Sequence, residues 1–307
     1  MSLRNRFTKP ITVITSFSII FIIYFASINR PALQSTALPQ STALPQSTAL
    51  PQPTAPLLNS PERLVYRPHV KLAFITSYFK PKESERAGEI DVCLASLLAN
   101  PLLDQIHIMI QPEDKPIPAF ASVDSRVKLS DLAARPLMGD FIQYACDHLL
   151  DHRVIFSNSD IFFDSSLEYF SKVSDEVFDE TFYAISRWRL DITGDDLEGK
   201  HLGDPVGLTP EPYPGFGSYD TFVFNPRTIC MDKAKLKDMV GSLNYTLGIL
   251  GSENRLLWEV QRQYPEIKLA NPFREVRTIH VHKSSWRSKE WGNPVNLNGK
   301  SAVVYGY

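Results

Sequence analysis

The side chains with the most chemistry to offer fall in five blocks of the second half of this 307-residue chain. Ser157-Asn158-Ser159-Asp160 follows an apolar run, 153–156, and a carboxylate at the end of a strand can face the ligand crevice of an α/β sheet. Asp160 is a candidate ligand for Mg²⁺ or Mn²⁺, ions that one or two carboxylates hold together with substrate phosphates. Asn158 could add a carbonyl oxygen or hold a ribose. The same residues are ordinary turn formers, and Asp164 could simply cap the segment after it. In Gly217-Ser218-Tyr219-Asp220, small residues turn into a second apolar run. Asp220 there is a candidate acceptor ligand or general base, or merely an Asp in a turn. Gly251-Ser252-Glu253 opens a helical pattern. Ser252 can cap it and an acid in its first turn suits the helix dipole, which accounts for Glu253 structurally. Glu253 is also the preferred candidate base, a role that needs it within about 3 Å of the hydroxyl it deprotonates. His280 and His282 alternate at the end of a short strand, 278–281, so they share a face. Beside Lys283 and Arg287 they are candidate metal ligands, His282 preferred, and the two cations suit a diphosphate. Arg187-Trp188 follows another strand. It could offset phosphate charge and stack on a sugar, or be a surface arginine over a half-buried indole.

The elements that must position these groups alternate. Short apolar runs at 71–77, 106–110, 127–129 and 153–156 read as strands. Between them, residues 85–98 carry Ile90, Cys93, Leu94, Leu97 and Leu98 at helical spacing and end at Asn100-Pro101, and 138–150 form a second amphipathic helix. Strand and helix in alternation argue for an α/β sheet with mainly parallel strands, in a globular part that begins near Val70.

The first fifth of the chain is different. Residues 11–28 carry no charge; as a helix they reach about 27 Å, close to the thickness of a thin bilayer core. Arg4, Arg6 and Lys9 precede them and only Arg30 follows closely, which places a cytosolic tail (1–10) before a single transmembrane anchor. Phe25-Ala26-Ser27-Ile28 is a poor cleavage site, against a removed signal peptide. From 29 to 63, Gln-Ser-Thr-Ala-Leu-Pro recurs from Gln34, Gln40 and Gln46. Proline every sixth residue blocks helix and ladder alike, leaving an extended stem rich in candidate O-glycosylation sites. Asn244-Tyr245-Thr246 is a formal N-glycosylation triplet. A formal charge of −2 and the absence of a basic stripe argue against nucleic acid as a partner. Cys93, Cys146 and Cys230 form no CxxC pair, so thiolate zinc is not expected. A lumenal domain permits one disulfide, but Cys93 and Cys146 sit in apolar helical stretches, where buried free thiols are the default.

Residues 154–167, Val-Ile-Phe-Ser-Asn-Ser-Asp-Ile-Phe-Phe-Asp-Ser-Ser-Leu, resemble the strand and DxD-type motif of GT-A fold glycosyltransferases, with Asn158 at the first acidic position. The block from Glu89 to Ile108 is similar to the opening β-α-β of such enzymes, and Arg135-Pro136-Leu137-Met138-Gly139-Asp140 to the loop and helix start beside the nucleotide. With the later blocks, the likeness spans 72–287. It implies a GT-A (Rossmann-like) mixed, mainly parallel sheet in a catalytic domain, 64–307, and transfer of a sugar from a nucleotide-sugar to a glycan or glycoprotein hydroxyl. Asp160 with His282 or His280 would hold Mn²⁺ or Mg²⁺. Arg135, Asp140, Asn158, Arg187, Lys283 and Arg287 would contact the donor, and Glu253 or Asp220 would act as base. The tail, anchor and stem resemble the layout of type II Golgi enzymes. Two other functions fit the same motifs: a GT-A-like lumenal glycan-binding protein without turnover, which Asn158 permits, and a nucleotidyltransferase. The latter usually has a glycine-rich loop after the first strand, where this chain has Tyr78-Phe79-Lys80-Pro81-Lys82.

Overall fold

The computed structural model describes residues 70–190, 211–212, 218–281 and 302. The expected tail, anchor and stem lie outside these residues, as do His282, Lys283 and Arg287. Among the described residues no helix is long and apolar enough to cross a membrane. All of them belong to one unit of the chain, Arg63–Tyr307.

The strands are β1 (Leu72–Tyr78), β2 (Gln105–Ile110), β3 (Val127–Asp131), β4 (Arg153–Ser157), β5 (Ile161–Phe163), β6 (Thr181–Leu190), β7 (Glu211–Pro212), β8 (Tyr219–Phe224), β9 (Lys268–Ala270) and β10 (Thr278–Val281). The helices are α1 (Ser84–Ala99), α2 (Ala119–Ser122), α3 (Met138–His148), α4 (Tyr169–Lys172), α5 (Asp175–Asp179), α6 (Pro226–Cys230), α7 (Lys233–Ser242) and α8 (Ser252–Gln263). The strands form one sheet in the order β3-β2-β1-β4-β8-β6-β10-β5, with β7 and β9 also pairing β6. β1 to β4 are mutually parallel, whereas β8 runs antiparallel to both β4 and β6. The fold is the expected mixed α/β class, and the strands and helices read from the sequence form with ends shifted by a residue or two.

Side-chain alternation sorts the strands between two cores. On β1, Leu72 and Phe74 enter one core with α1, while Ala73 and Ile75 enter the other with α3, α7 and α8. The same period of two places Ile155 and Val223 on the first side and Phe156 and Phe222 on the second. Burial on both faces explains why these strands read as continuous apolar runs.

Local chemistry sets the helix ends. α1 stops at Asn100, since the residue before a proline is disfavoured in the helical region. At the start of α3, the Asp140 carboxylate accepts a 2.7 Å bond from the Leu137 amide. Gly139 lets α3 close on α7: a Cβ there would stand 2.7 Å from the Val240 carbonyl oxygen. The cap of α8 is Gly251 in the left-handed region (φ 87°), and Ser252 is its first helical residue, so the expected serine cap is replaced by a glycine turn. A further correction concerns Cys146. It is bonded to Cys230, with Cα atoms 5.5 Å apart, joining α3 to α6; Cys93 is the buried free thiol.

Candidate active site at the carboxyl edge of the sheet

The chain winds outward from β1 through β2 to β3, then returns to place β4 on the other flank of β1. Such a reversal opens a crevice outside the carboxyl ends of the two central strands. Here the Ser159 hydroxyl donates a 2.6 Å bond to the Ser77 carbonyl, and the Thr76 hydroxyl a 3.2 Å bond to the Ser157 carbonyl. These contacts hold the segment after β4 against the end of β1.

Because β8 is antiparallel, its first residues arrive at the same edge. Ser157 pairs with Thr221, so Asp220 falls beside Asn158. Asn158 Nδ2 donates to Asp220 Oδ1 at 3.0 Å, and the Asn158 amide to the Asp220 carbonyl at 3.3 Å. β6 brings the third member. Its register with β8 shifts between Ile185 and Ser186, and bulges of this kind re-aim the side chains that follow. Arg187 Nη1 reaches Asp220 Oδ2 at 3.1 Å. Asp220 is only 4% exposed, and its two oxygens are shared between an amide and a guanidinium.

Glu253, in the first turn of α8, completes the group electrostatically. Burial pushes its carboxyl up to about 7, and the Asp220 charge pushes the same way; its own backbone, Ser252 and the Arg187 cation oppose them. The loop before α8 also lies at this edge: a Cβ on Gly248, whose φ is +77°, would stand 3.9 Å from Asn158 Oδ1. Four of the expected site residues, Asn158, Arg187, Asp220 and Glu253, therefore share one polar environment. A carboxyl group that ionises near neutrality beside a half-buried cation can accept a proton at physiological pH.

Asp160 goes elsewhere. It is 3% exposed and its Oδ2 accepts a 2.7 Å bond from Arg86 Nη2, with His280 Nε2 at 3.2 Å from the same oxygen. The other Arg86 nitrogen, Nη1, bonds Glu89 Oε2 at 2.7 Å, and Glu89 is fully buried. The Cys93 thiol stands in the field of this cluster, raised by burial and then by the Asp160 charge. Asp160 and His280 are thus together, as a shared metal role requires, but around a guanidinium. A divalent ion at Oδ2 would compete with Arg86 for that oxygen. Among the described residues no group of three or more His, Cys, Asp or Glu side chains is placed to hold a metal. Among the described residues these side chains form a buried ion network, and His282, the preferred metal ligand, lies outside them.

The remaining expectations divide. Asp140 serves the α3 start. The Arg135 guanidinium lies 5.8 Å from the centre of the Phe79 ring, on the loop after β1. Trp188 Nε1 donates 2.6 Å to the Phe273 carbonyl, tying β6 to the segment before β10. Asp164 Oδ1 accepts from the Ser166 amide at 2.9 Å, the capping contact read for it. Sequence reasoning missed Arg86 and Glu89. Their signal was present: positions 86, 89, 90, 93 and 97 form one helical stripe, so two charges lie among apolar residues facing the core.

No protein-family model matches the chain, and no curated protein matches it in sequence. Solved structures match in shape at low identity. The 4-diphosphocytidyl-2C-methyl-D-erythritol synthase of Anaerococcus prevotii is 12% identical with a TM-score of 0.39, the match covering 66% of this chain and 87% of that one. The apo-form glycosyltransferase GlyE of Streptococcus pneumoniae is 15% identical with a TM-score of 0.32, covering 56% of this chain and 38% of that one. HddC from Yersinia pseudotuberculosis is 13% identical, also at 0.32, covering 52% of this chain and 78% of that one. Likenesses this distant carry no argument about the reaction, which rests on the geometry alone.

Proposed function

We propose that the chain is a glycosyltransferase that moves a sugar from a nucleotide-sugar to a hydroxyl of a glycan or glycoprotein. The observation that carries this reading is the meeting of Glu253, Asp220, Arg187 and Asn158 at the carboxyl edge of the sheet. Sugar transfer needs a base matched to the working pH and positive charge where the diphosphate leaves. Glu253, ionising at about 7, is the base. In an inverting reaction it takes the acceptor proton as the hydroxyl oxygen attacks the anomeric carbon, and the bonding pair of the departing C–O bond goes to the diphosphate. Arg187 has five N–H donors, enough to hold Asp220 and also meet a phosphate. Asp220 and Asn158 orient Arg187. If configuration is retained, Glu253 need not act as base. Lys283 and Arg287 remain proposed diphosphate contacts and His282 a proposed ligand. Mn²⁺ or Mg²⁺ remains a proposed cofactor, which Asp160 and His282 would hold in competition with Arg86.

The residence proposed is a secretory-pathway membrane, such as the Golgi, with the domain lumenal on the anchor at 11–28. The Cys146–Cys230 bridge supports it, since disulfides persist in oxidising compartments. The engagement of Asp160 by Arg86 favours a second reading, a lumenal glycan-binding protein without turnover.

The test presents the purified full chain and its Glu253→Gln variant with nucleotide-sugars and mixed glycan acceptors, with Mn²⁺, Mg²⁺ or EDTA, and measures released nucleotide and elongated glycan. Nucleotide release from one donor, lost in Glu253→Gln, is expected. Glycan binding without release in any condition would move the chain to the second reading. Pyrophosphate release from nucleoside triphosphates and a sugar phosphate would make it a nucleotidyltransferase instead.

A further inference from the structure

We propose that Asn244 carries an N-linked glycan at the rim of the candidate active site. The chain contains one Asn-x-Ser/Thr triplet, Asn244-Tyr245-Thr246, and the fold places it where a glycan is tolerated. Asn244 is exposed and lies outside regular structure, between α7 and α8. The backbone on either side of it is pinned: the Gly139 amide donates 3.0 Å to the Leu243 carbonyl, the Met138 amide 2.7 Å to the Tyr245 carbonyl, and Leu137 bridges Thr246. The neighbours of Asn244 are thus committed to the fold while its own side chain remains at the surface. A glycan attached before folding would meet water there instead of core, and so would not oppose the docking of the loop. The same loop runs on to Gly248, beside Asn158, which sets the sugar at the edge of the crevice, on the α3 and α7 side.

This inference rests on the lumenal reading, because the modifying chemistry is confined to the secretory pathway. The experiment separates the two. The full chain is expressed in eukaryotic cells, treated with an amidase that removes N-glycans, and compared on gels with Asn244→Gln, Thr246→Ala and Thr246→Ser. In parallel, the chain is unfolded in denaturant and free thiols are alkylated without reductant to read the state of Cys146 and Cys230. The expected result is one mobility shift in the wild type, retained in Thr246→Ser, absent in the other two, with both cysteines protected. No shift with both cysteines protected would overturn the glycan alone. No shift with both cysteines alkylated would overturn the compartment and the glycan together. A shift that survives Asn244→Gln would also overturn the assignment.

Discussion

At the scale of single residues, the site turns on one carboxyl group whose ionisation is set by its neighbours. As the proposed base, Glu253 must be deprotonated to accept a proton, so kcat/KM should rise with pH on a limb centred near 7 and fall away below it. Asp220→Asn removes a negative charge that favours protonated Glu253, and so should move that limb to lower pH, read from a pH–rate profile. Glu253→Gln should remove the limb and cost about 10²- to 10⁴-fold in turnover. The same group has a stability signature of opposite sense. Its folded-state pKa lies above its unfolded value, so the native chain binds more protons between about 4.5 and 7 and its stability falls as pH rises through that window. Glu253→Gln should flatten this slope in urea titrations at stepped pH. Arg86 is the contrasting case. Its two bonded carboxylates, Asp160 and Glu89, are buried, so Arg86→Leu leaves two charges without their cation and should cost about 3–5 kcal/mol of folding free energy. Normal stability of that variant in chemical denaturation would refute the network. These contacts were only partly legible. Asn158, Asp220 and Glu253 stood out because they punctuate the starts and ends of apolar runs. The Arg86–Asp160 pair did not, because it spans 74 residues and no local pattern encodes a pairing across that distance.

At the scale of elements, the sequence was most readable where periodicity is strongest. Strands β1, β2 and β4 are buried on both faces and declare themselves as unbroken apolar runs; α1 and α3 show one apolar stripe each. The cap of α8 was less readable, because a serine beside a glycine satisfies either capping scheme and only the backbone angle of Gly251 decides between them. The junction of α3 with α7 is a tight approach that depends on the missing side chain of Gly139. Gly139→Val should cost about 1–3 kcal/mol by overpacking against the Val240 carbonyl, measurable as a lowered denaturation midpoint. A parallel loss should not follow Gly241→Ala as far as packing is concerned, since a Cβ at Gly241 meets nothing within 4 Å.

At the scale of the whole molecule, the topology assembles the candidate site more than any motif does. Three separate strands, β4, β6 and β8, deliver Asn158, Arg187 and Asp220 to one edge only because β8 runs against its neighbours. Alternation of strand and helix implied a mainly parallel sheet and the family resemblance a mixed one; which strand runs antiparallel was not legible, since direction depends on which connections cross the sheet and not on composition. The pairing of Cys146 with Cys230 was likewise invisible, as spacing cannot select a partner among three thiols. That bridge closes a loop with a sequence separation of 84 residues, and both segments outside the described residues between Leu190 and Ser218 fall within it. A single cut by a protease anywhere between the two cysteines would therefore yield fragments that still migrate as one species without reductant and part only when thiol is added.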